Sequence, residues 1–177
     1  MKFLMICFFS AFSLVSEGPQ LSRESIKKLN KSIEEVYPGI SVQIVKLNLN
    51  APEINDTEIV NADGKWFAVQ ENKVNIGWLL IDRIWGRYHE FEFAMFVDTS
   101  NKIINVSILS YPETHGIAVT GKKWLSSFTG YSPESIPSYG NEIDALSGAT
   151  ISGTSLTESV AKSLKLLHKL DEQNLLR

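Results

Sequence analysis

Phe91-Glu92-Phe93-Ala94-Met95-Phe96-Val97-Asp98-Thr99-Ser100-Asn101-Lys102-Ile103-Ile104-Asn105-Val106-Ser107-Ile108-Leu109 reads as two strands and the turn between them. Phe91, Phe93, Met95 and Val97 recur at every second position, which places them on one side of an extended chain. Asp98 to Lys102 is a polar turn, and Ile103 to Leu109 is the returning strand. A connection this short joins antiparallel neighbours, because a parallel pair needs a crossover of a dozen residues or more.

The same pattern extends upstream. Val74 to Ile84 is long and apolar, with Ile76, Trp78, Leu79, Leu80, Ile81 and Ile84. Glu71-Asn72-Lys73 is a hairpin turn behind a short strand, Trp66 to Gln70. Asn48 to Gly64 is polar and turn-rich and reads as a loop, preceded by an alternating strand from Ser41 to Leu47. Short links throughout make the sheet an antiparallel meander. Helices flank it. From Ser22 to Val36, Ile26, Leu29, Ile33 and Val36 fall three and four apart on one face, and Pro38-Gly39 stops the helix. At the other end, Leu156, Val160, Leu164, Leu167 and Leu170 form a buried stripe, while Lys162, Lys165 and Lys169 face water. Ser155-Leu156-Thr157-Glu158 fits a capping box for that helix. Between sheet and last helix, Tyr111 to Ile143 is irregular, with a short helix expected over Lys122 to Phe128. The fold class is α+β: an antiparallel meander flanked by an N-terminal helix and a long C-terminal helix.

Composition narrows the function. With 177 residues, 44% hydrophobic and 21% charged, the chain has the profile of one globular domain, or of one domain plus a short leader. A net charge of −3 offers no basic footprint for nucleic acid. Phe3 to Val15 is almost wholly apolar behind Lys2. At about 1.5 Å per helical residue it reaches roughly 20 Å, short of the ~30 Å bilayer core. Residues 1–16 therefore read as a signal peptide, with a short retained anchor as the alternative, and 17–177 as a single domain. The one cysteine, Cys7, lies in that leader, so the rest of the chain has no disulfide, thiolate nucleophile or cysteine metal site. His89, His115 and His168 are far apart and lack close ligand partners, so no metal site is expected. No nucleophile motif frames a serine. Trp66, Trp78, Trp85 and Trp124 are expected to pack in the core and on the sheet face.

One stretch carries chemistry. Asp144-Ala145-Leu146-Ser147-Gly148-Ala149-Thr150 ends the irregular segment and runs into the last helix. Helix-start amides are unpaired and the dipole favours an anion there, so hydroxyl and glycine residues at that point suit a phosphate. An ordinary helix entry with Ser and Thr as local caps fits the same residues.

As a whole string, Asp144 to Thr150 resembles the flavinylation motif of the FMN-binding domain family: Asp, two residues, Ser or Thr, then Gly-Ala-Thr. The family includes the peripheral flavin subunits of the sodium-translocating NADH:quinone oxidoreductase and of the Rnf electron-transport complex. The resemblance continues in Val97 to Val106, in Glu113-Thr114-His115-Gly116 where the family typically has Glu-Thr-Pro-Gly, in Lys123-Trp124 and Phe128-x-Gly130, and in Glu35-Val36-Tyr37-Pro38-Gly39. It covers most of residues 22–170. His115 departs from the pattern and removes the fixed φ of proline.

The resemblance implies FMN held as a phosphoester on Thr150. It further implies a flavin transferase that uses FAD and magnesium, releases AMP and recognises Asp144. Ser147 would donate to the phosphate, Gly148 would let the backbone approach, and Ala149 would leave room for the ligand. The amides of Ser152, Gly153 and Thr154 are expected to be free for the phosphate. Glu113 and Thr114 would be polar ring contacts, Gly116 and Ile117 backbone and apolar contacts, and Trp124 a packing wall. His115 is either a solvent-facing loop residue or a proton-coupled one. The function implied is an exported electron carrier working between a membrane donor and an extracytoplasmic or quinone-linked acceptor, rather than a stand-alone oxidoreductase. Its alternatives are an anchored subunit of a respiratory complex and a non-covalent FMN-binding or sensory domain.

Overall fold

A computed structural model describes residues 20–51 and 53–176, so the leader expected over 1–16 lies outside the described residues. Helix α1, Arg23–Val36, starts where Ser22 accepts from the Ser25 amide at 3.1 Å and stops at Tyr37 before Pro38-Gly39. Strand β1 is Gln43–Lys46. The segment expected to be pure loop contains one helical turn, α2, Thr57–Val60, whose entry Asp56 caps through the Glu58 and Ile59 amides. Strands β2 (Trp66–Glu71), β3 (Val74–Trp85), β4 (Glu90–Asp98) and β5 (Ile103–Ser110) follow. Short helix α3, Lys122–Leu125, continues into a 3-10 turn, Ser126–Phe128. Helix α4, Thr150–Glu172, ends the fold.

The sheet order is β1-β2-β3-β4-β5, each pair antiparallel, so the meander and the α+β class are as the sequence requires. Turn chemistry sets the pairing. Asn72 and Lys73 both take positive φ, 49° and 67°, the two-residue geometry that follows strand twist. At the next hairpin Asp98 accepts from the Ser100 and Lys102 amides at 2.8 and 3.0 Å, while Asn101 sits at φ 61°.

The two faces of β4 bury into two cores. Phe91, Phe93, Met95 and Val97 join Trp66, Trp78, Leu80 and the Leu156, Val160, Leu164, Leu167 and Leu170 stripe of α4. Ala94 and Phe96 face the other way, onto Leu29 and Tyr37 with Phe67, Leu79 and Ile81. A helix on each face is why β4 is apolar on both sides. Burying one such large apolar side chain contributes about 1.5–3 kcal/mol, so the five-residue stripe anchors α4 firmly. Lys169 is half-buried and pairs with Asp56 and Glu58, which ties α2 to α4.

Two expectations are corrected. Ser155 to Glu158 is not a capping box: α4 begins at Thr150, more than a turn earlier, and those residues lie inside it. Trp85 is not packed but 63% exposed, because it closes β3 opposite Glu90 at the open tip of the β3–β4 hairpin. No described helix is long and apolar enough to cross a membrane.

Candidate functional site

Helix α4 enters without help. Its first residue follows Ala149, which has no side-chain cap, and no acidic residue occupies the first turn. The first intrahelical bond runs from the Gly153 amide to the Ala149 carbonyl at 2.8 Å. The unpaired donors are therefore the amides of Thr150, Ile151 and Ser152; Gly153 and Thr154 fall past them, which corrects the expected set by two residues. The positive end of a 23-residue helix is left facing outward with no acidic residue of its own first turn to answer it.

The string before the helix is held from three sides. The Trp124 indole donates to the Asp144 carbonyl at 2.8 Å, and its ring meets Phe128 edge-on at 5.2 Å. The Leu146 amide donates to the Tyr139 hydroxyl at 2.7 Å. The same Tyr139 ring lies where a Cβ on Gly153 would come within 2.6 Å, so α4 and this tyrosine can touch only through a glycine. Gly148 takes φ 74°, and Ala149 is buried. Thr150 is exposed, with its hydroxyl 3.5 Å from the Leu146 carbonyl.

A second loop closes over this entry. The Ser152 hydroxyl lies 2.9 Å from the Tyr111 hydroxyl, which donates to the His115 carbonyl at 2.9 Å. Gly116 follows at φ 78°, and a Cβ there would meet the Tyr111 hydroxyl at 2.5 Å. Only glycine satisfies both the angle and the space.

Glu113 is the buried charge of the site, 6% exposed. Its Oε1 accepts from the Tyr88 and His89 amides at 2.8 and 2.9 Å and so fixes the β3–β4 hairpin tip. Burial works to raise its pKa, but those two amides, the His89 side chain and the Arg87 amide outweigh it and hold the carboxyl below its ordinary value. Its Oε2 is buried without any hydrogen-bond partner. An ionised carboxylate oxygen out of water normally finds a donor, so this one points to a ligand group.

These pieces enclose a cavity of about 200 Å³ lined by Arg87, Glu113, His115, Gly116, Gly148, Ala149, Thr150, Ile151 and Ser152. The residues singled out from sequence divide accordingly. Glu113, Gly116, Gly148, Ala149 and Thr150 line the cavity. Ser147, Thr114 and Ile117 are chain neighbours of lining residues but are not part of the lining, Ile117 is 58% exposed, and Trp124 holds the string through its bond to Asp144. Arg87, Ile151 and Tyr111 were not anticipated. Arg87 stands in the tip between β3 and β4, its guanidinium 5.1 Å from the Tyr88 ring centre.

An uncapped helix start and a buried carboxylate oxygen without a partner thus meet at one cavity. Residues 86–165, a span that includes every residue lining the cavity, match the family model of the FMN-binding domain. That stretch of the chain is similar to the FMN-binding domain. The chain is also similar to a subunit of the ion-translocating oxidoreductase complex of Buchnera aphidicola subsp. Acyrthosiphon pisum (strain APS), 32% identical over 82 residues, 40% of this chain and 50% of that one. The chain thus spans about half the length of the curated relative it matches. Among solved structures, that of NqrC from Shewanella oneidensis is similar at 16% identity and a TM-score of 0.49, covering 79% of this chain and 87% of that one.

Proposed function

We propose that this chain is an electron-transfer flavoprotein whose FMN is joined by a phosphoester to Thr150. The observation that carries the reading is the meeting, at one cavity, of the exposed Thr150 at an uncapped helix start and the buried, partnerless Glu113 Oε2. The amides of Thr150, Ile151 and Ser152 hold the phosphate, with the Arg87 and His115 side chains and the Ser147 hydroxyl beside it. Glu113 Oε2 accepts from an N–H or hydroxyl of the ligand, since an ionised carboxylate can only accept. Ile151 lines the cavity and is half exposed, and Trp85, Tyr88 and Ile117, near Arg87 and Gly116 in the chain, are exposed too; these side chains offer apolar surface to a ring. Thr114 and Gly116 shape that loop. Trp124 holds the backbone of the string rather than the ring.

When bound, FMN supplies one- and two-electron chemistry, and the protein's part is to hold it and limit its exposure. Attachment forms a bond between Thr150 Oγ1 and the flavin-side phosphorus of FAD. The P–O–P bond of FAD breaks, AMP leaves, and the hydroxyl proton is lost. A transferase must bring the FAD and magnesium and recognise Asp144, because a threonine hydroxyl has no acidity of its own at neutral pH.

Export fits this chemistry, since a covalent flavin cannot be lost where it cannot be replaced. We read residues 1–16 as the leader and 17–177 as one exported domain. The matched relative is by its name part of an ion-translocating oxidoreductase complex. That favours a second setting: the same domain retained at the membrane, relaying electrons within such a complex. Two measurements test the reading. Flavin fluorescence that stays on the denatured protein after co-production with a flavin transferase, and is lost in Thr150→Ala, supports the phosphoester. The N-terminus of the mature protein separates the free carrier, which has lost residues 1–16, from the anchored subunit, which keeps them.

A further inference from the structure

Strand β5 is the last in the sheet, so its outer side has no strand partner among the described residues. Among the described residues its start is paired through the backbone, where Ile103 donates to the Tyr131 carbonyl and accepts from the Gly130 amide, each at 2.8 Å, and further along Ser32 of α1 reaches the Ser107 side chain, hydroxyl to hydroxyl, at 3.0 Å. Asn105 to Ile108 lines a groove of about 380 Å³. Helix α1 forms one wall and α3 with its following turn forms the other. The groove shares no residue with the cavity at Thr150.

A free edge is a template for another strand, and proteins usually block one with a charge, a proline or a bulge on the edge itself. Here Asn105 to Ile108 carries no charge and no proline. The pairing with β4 slips on either side of it but runs regularly through Asn105↔Phe96, Val106↔Met95, Ser107↔Ala94 and Ile108↔Phe93. Four regular residues give an edge of roughly 13 Å. The charges stand on the walls instead. Lys28, Lys31 and Lys122 face the groove against one carboxylate, Glu35, which Lys122 contacts at 2.9 Å. Lys28 also pairs with Glu24 at 3.1 Å. Apolar Val106, Ile108 and Leu125 lie among them. Placed on the helices, the lysines leave the edge open and select the charge of what enters.

We propose that Asn105–Ile108 is a docking edge for an extended, acidic segment of a partner protein, which adds as a sixth strand beside β5. Backbone pairing gives the grip, and the lysine walls choose acidic side chains. This stands whether or not the FMN reading holds, because it uses none of the same residues.

The test uses ¹⁵N-labelled protein and a capped peptide of alternating glutamate and valine at millimolar concentration. Binding is expected to slow hydrogen exchange at alternate amides of Asn105–Ile108. A lysine–valine peptide is expected not to bind. The double variant Lys31→Glu/Lys122→Glu, altered at two exposed side chains, should weaken the acidic peptide at least about tenfold. An acidic peptide N-methylated at alternate amides should fail to protect the edge. No binding, or equal binding of the N-methylated peptide, overturns the proposal. So does an edge already protected without peptide: concentration-independent protection means this chain's own residues 1–19 fill it, and concentration-dependent protection means a second copy does.

Discussion

The hydroxyls of Tyr111 and Ser152 lie 2.9 Å apart and fasten the loop after β5 to the first turn of α4. Ser152 donates to Tyr111, and Tyr111 donates in turn to the His115 carbonyl at 2.9 Å. This places Glu113 and Gly116 on one side of the cavity and Thr150 on the other. The proline that the family usually has in this loop would fix its shape through φ; here His115 occupies that position and its carbonyl is pinned by a side chain instead.

Tyr111→Phe removes both of these hydrogen bonds and leaves Ser152 without its partner. Unfolding free energy should fall by about 1–3 kcal/mol in urea titrations, the sum of two modest bonds. Flavin attachment should fall with it, because the loop loses its register against α4. A variant that keeps full attachment would show that the loop is held by other contacts.

Glu113 gives the site a pH dependence of known sign. Its folded pKa lies below the ordinary value of about 4.3. The ionised form therefore stabilises the fold fully above the unfolded value, and this is lost as pH falls through the lower folded value. Glu113→Gln should be less stable than the parent at pH 7, and the gap should narrow as pH drops below about 4. Urea midpoints across pH measure it. A gap that stays constant would mean the carboxylate acts through shape alone.

Gly116→Ala meets both a left-handed φ of 78° and a contact at 2.5 Å with the Tyr111 hydroxyl. The angle alone costs about 1–2 kcal/mol. Thermal melts should show the loss, and Tyr111→Phe should relieve part of it in the double variant, since the clashing oxygen is then gone.

Ile151 is 50% exposed in the first turn of α4, where no acidic residue stands. Ile151→Glu should raise the stability of the flavin-free protein by about 0.3–1 kcal/mol by answering the helix dipole. The same carboxylate should repel a phosphate, so flavin attachment should drop. Opposite movements in melting and in attachment identify the helix start as an anion site. A parallel fall in both would mean that Ile151 matters only for packing.

The fold was legible where side chains alternate. Phe91, Phe93, Met95 and Val97 lie on one face of β4, and Leu156 to Leu170 form the stripe they pack against. Short turns made the meander the simple solution. The sequence points to a later start for α4 because Ser155 and Glu158 have a capping pattern that is purely local, whereas the real start at Thr150 has no side-chain cap to read. Residue type predicts packing for Trp85, but its exposure follows from its place at the end of β3, opposite Glu90. At the site, Thr150, Gly148 and Glu113 were readable from one contiguous string and one loop. Arg87 and the Tyr111–Ser152 bond were not. The bond joins residues 41 apart in sequence, Arg87 lies further still from Thr150, and nothing local in either segment marks the pairing.

The central claim is a bond at Thr150, and the intact mass of the protein made with a flavin transferase in an exporting host tests it most directly. The account predicts a gain of one FMN less one water in the parent, the same gain in Thr154→Ala, and none in Thr150→Ala. A parent with no gain beside a flavinylated transferase control, or a Thr150→Ala protein that still gains it, would contradict the account.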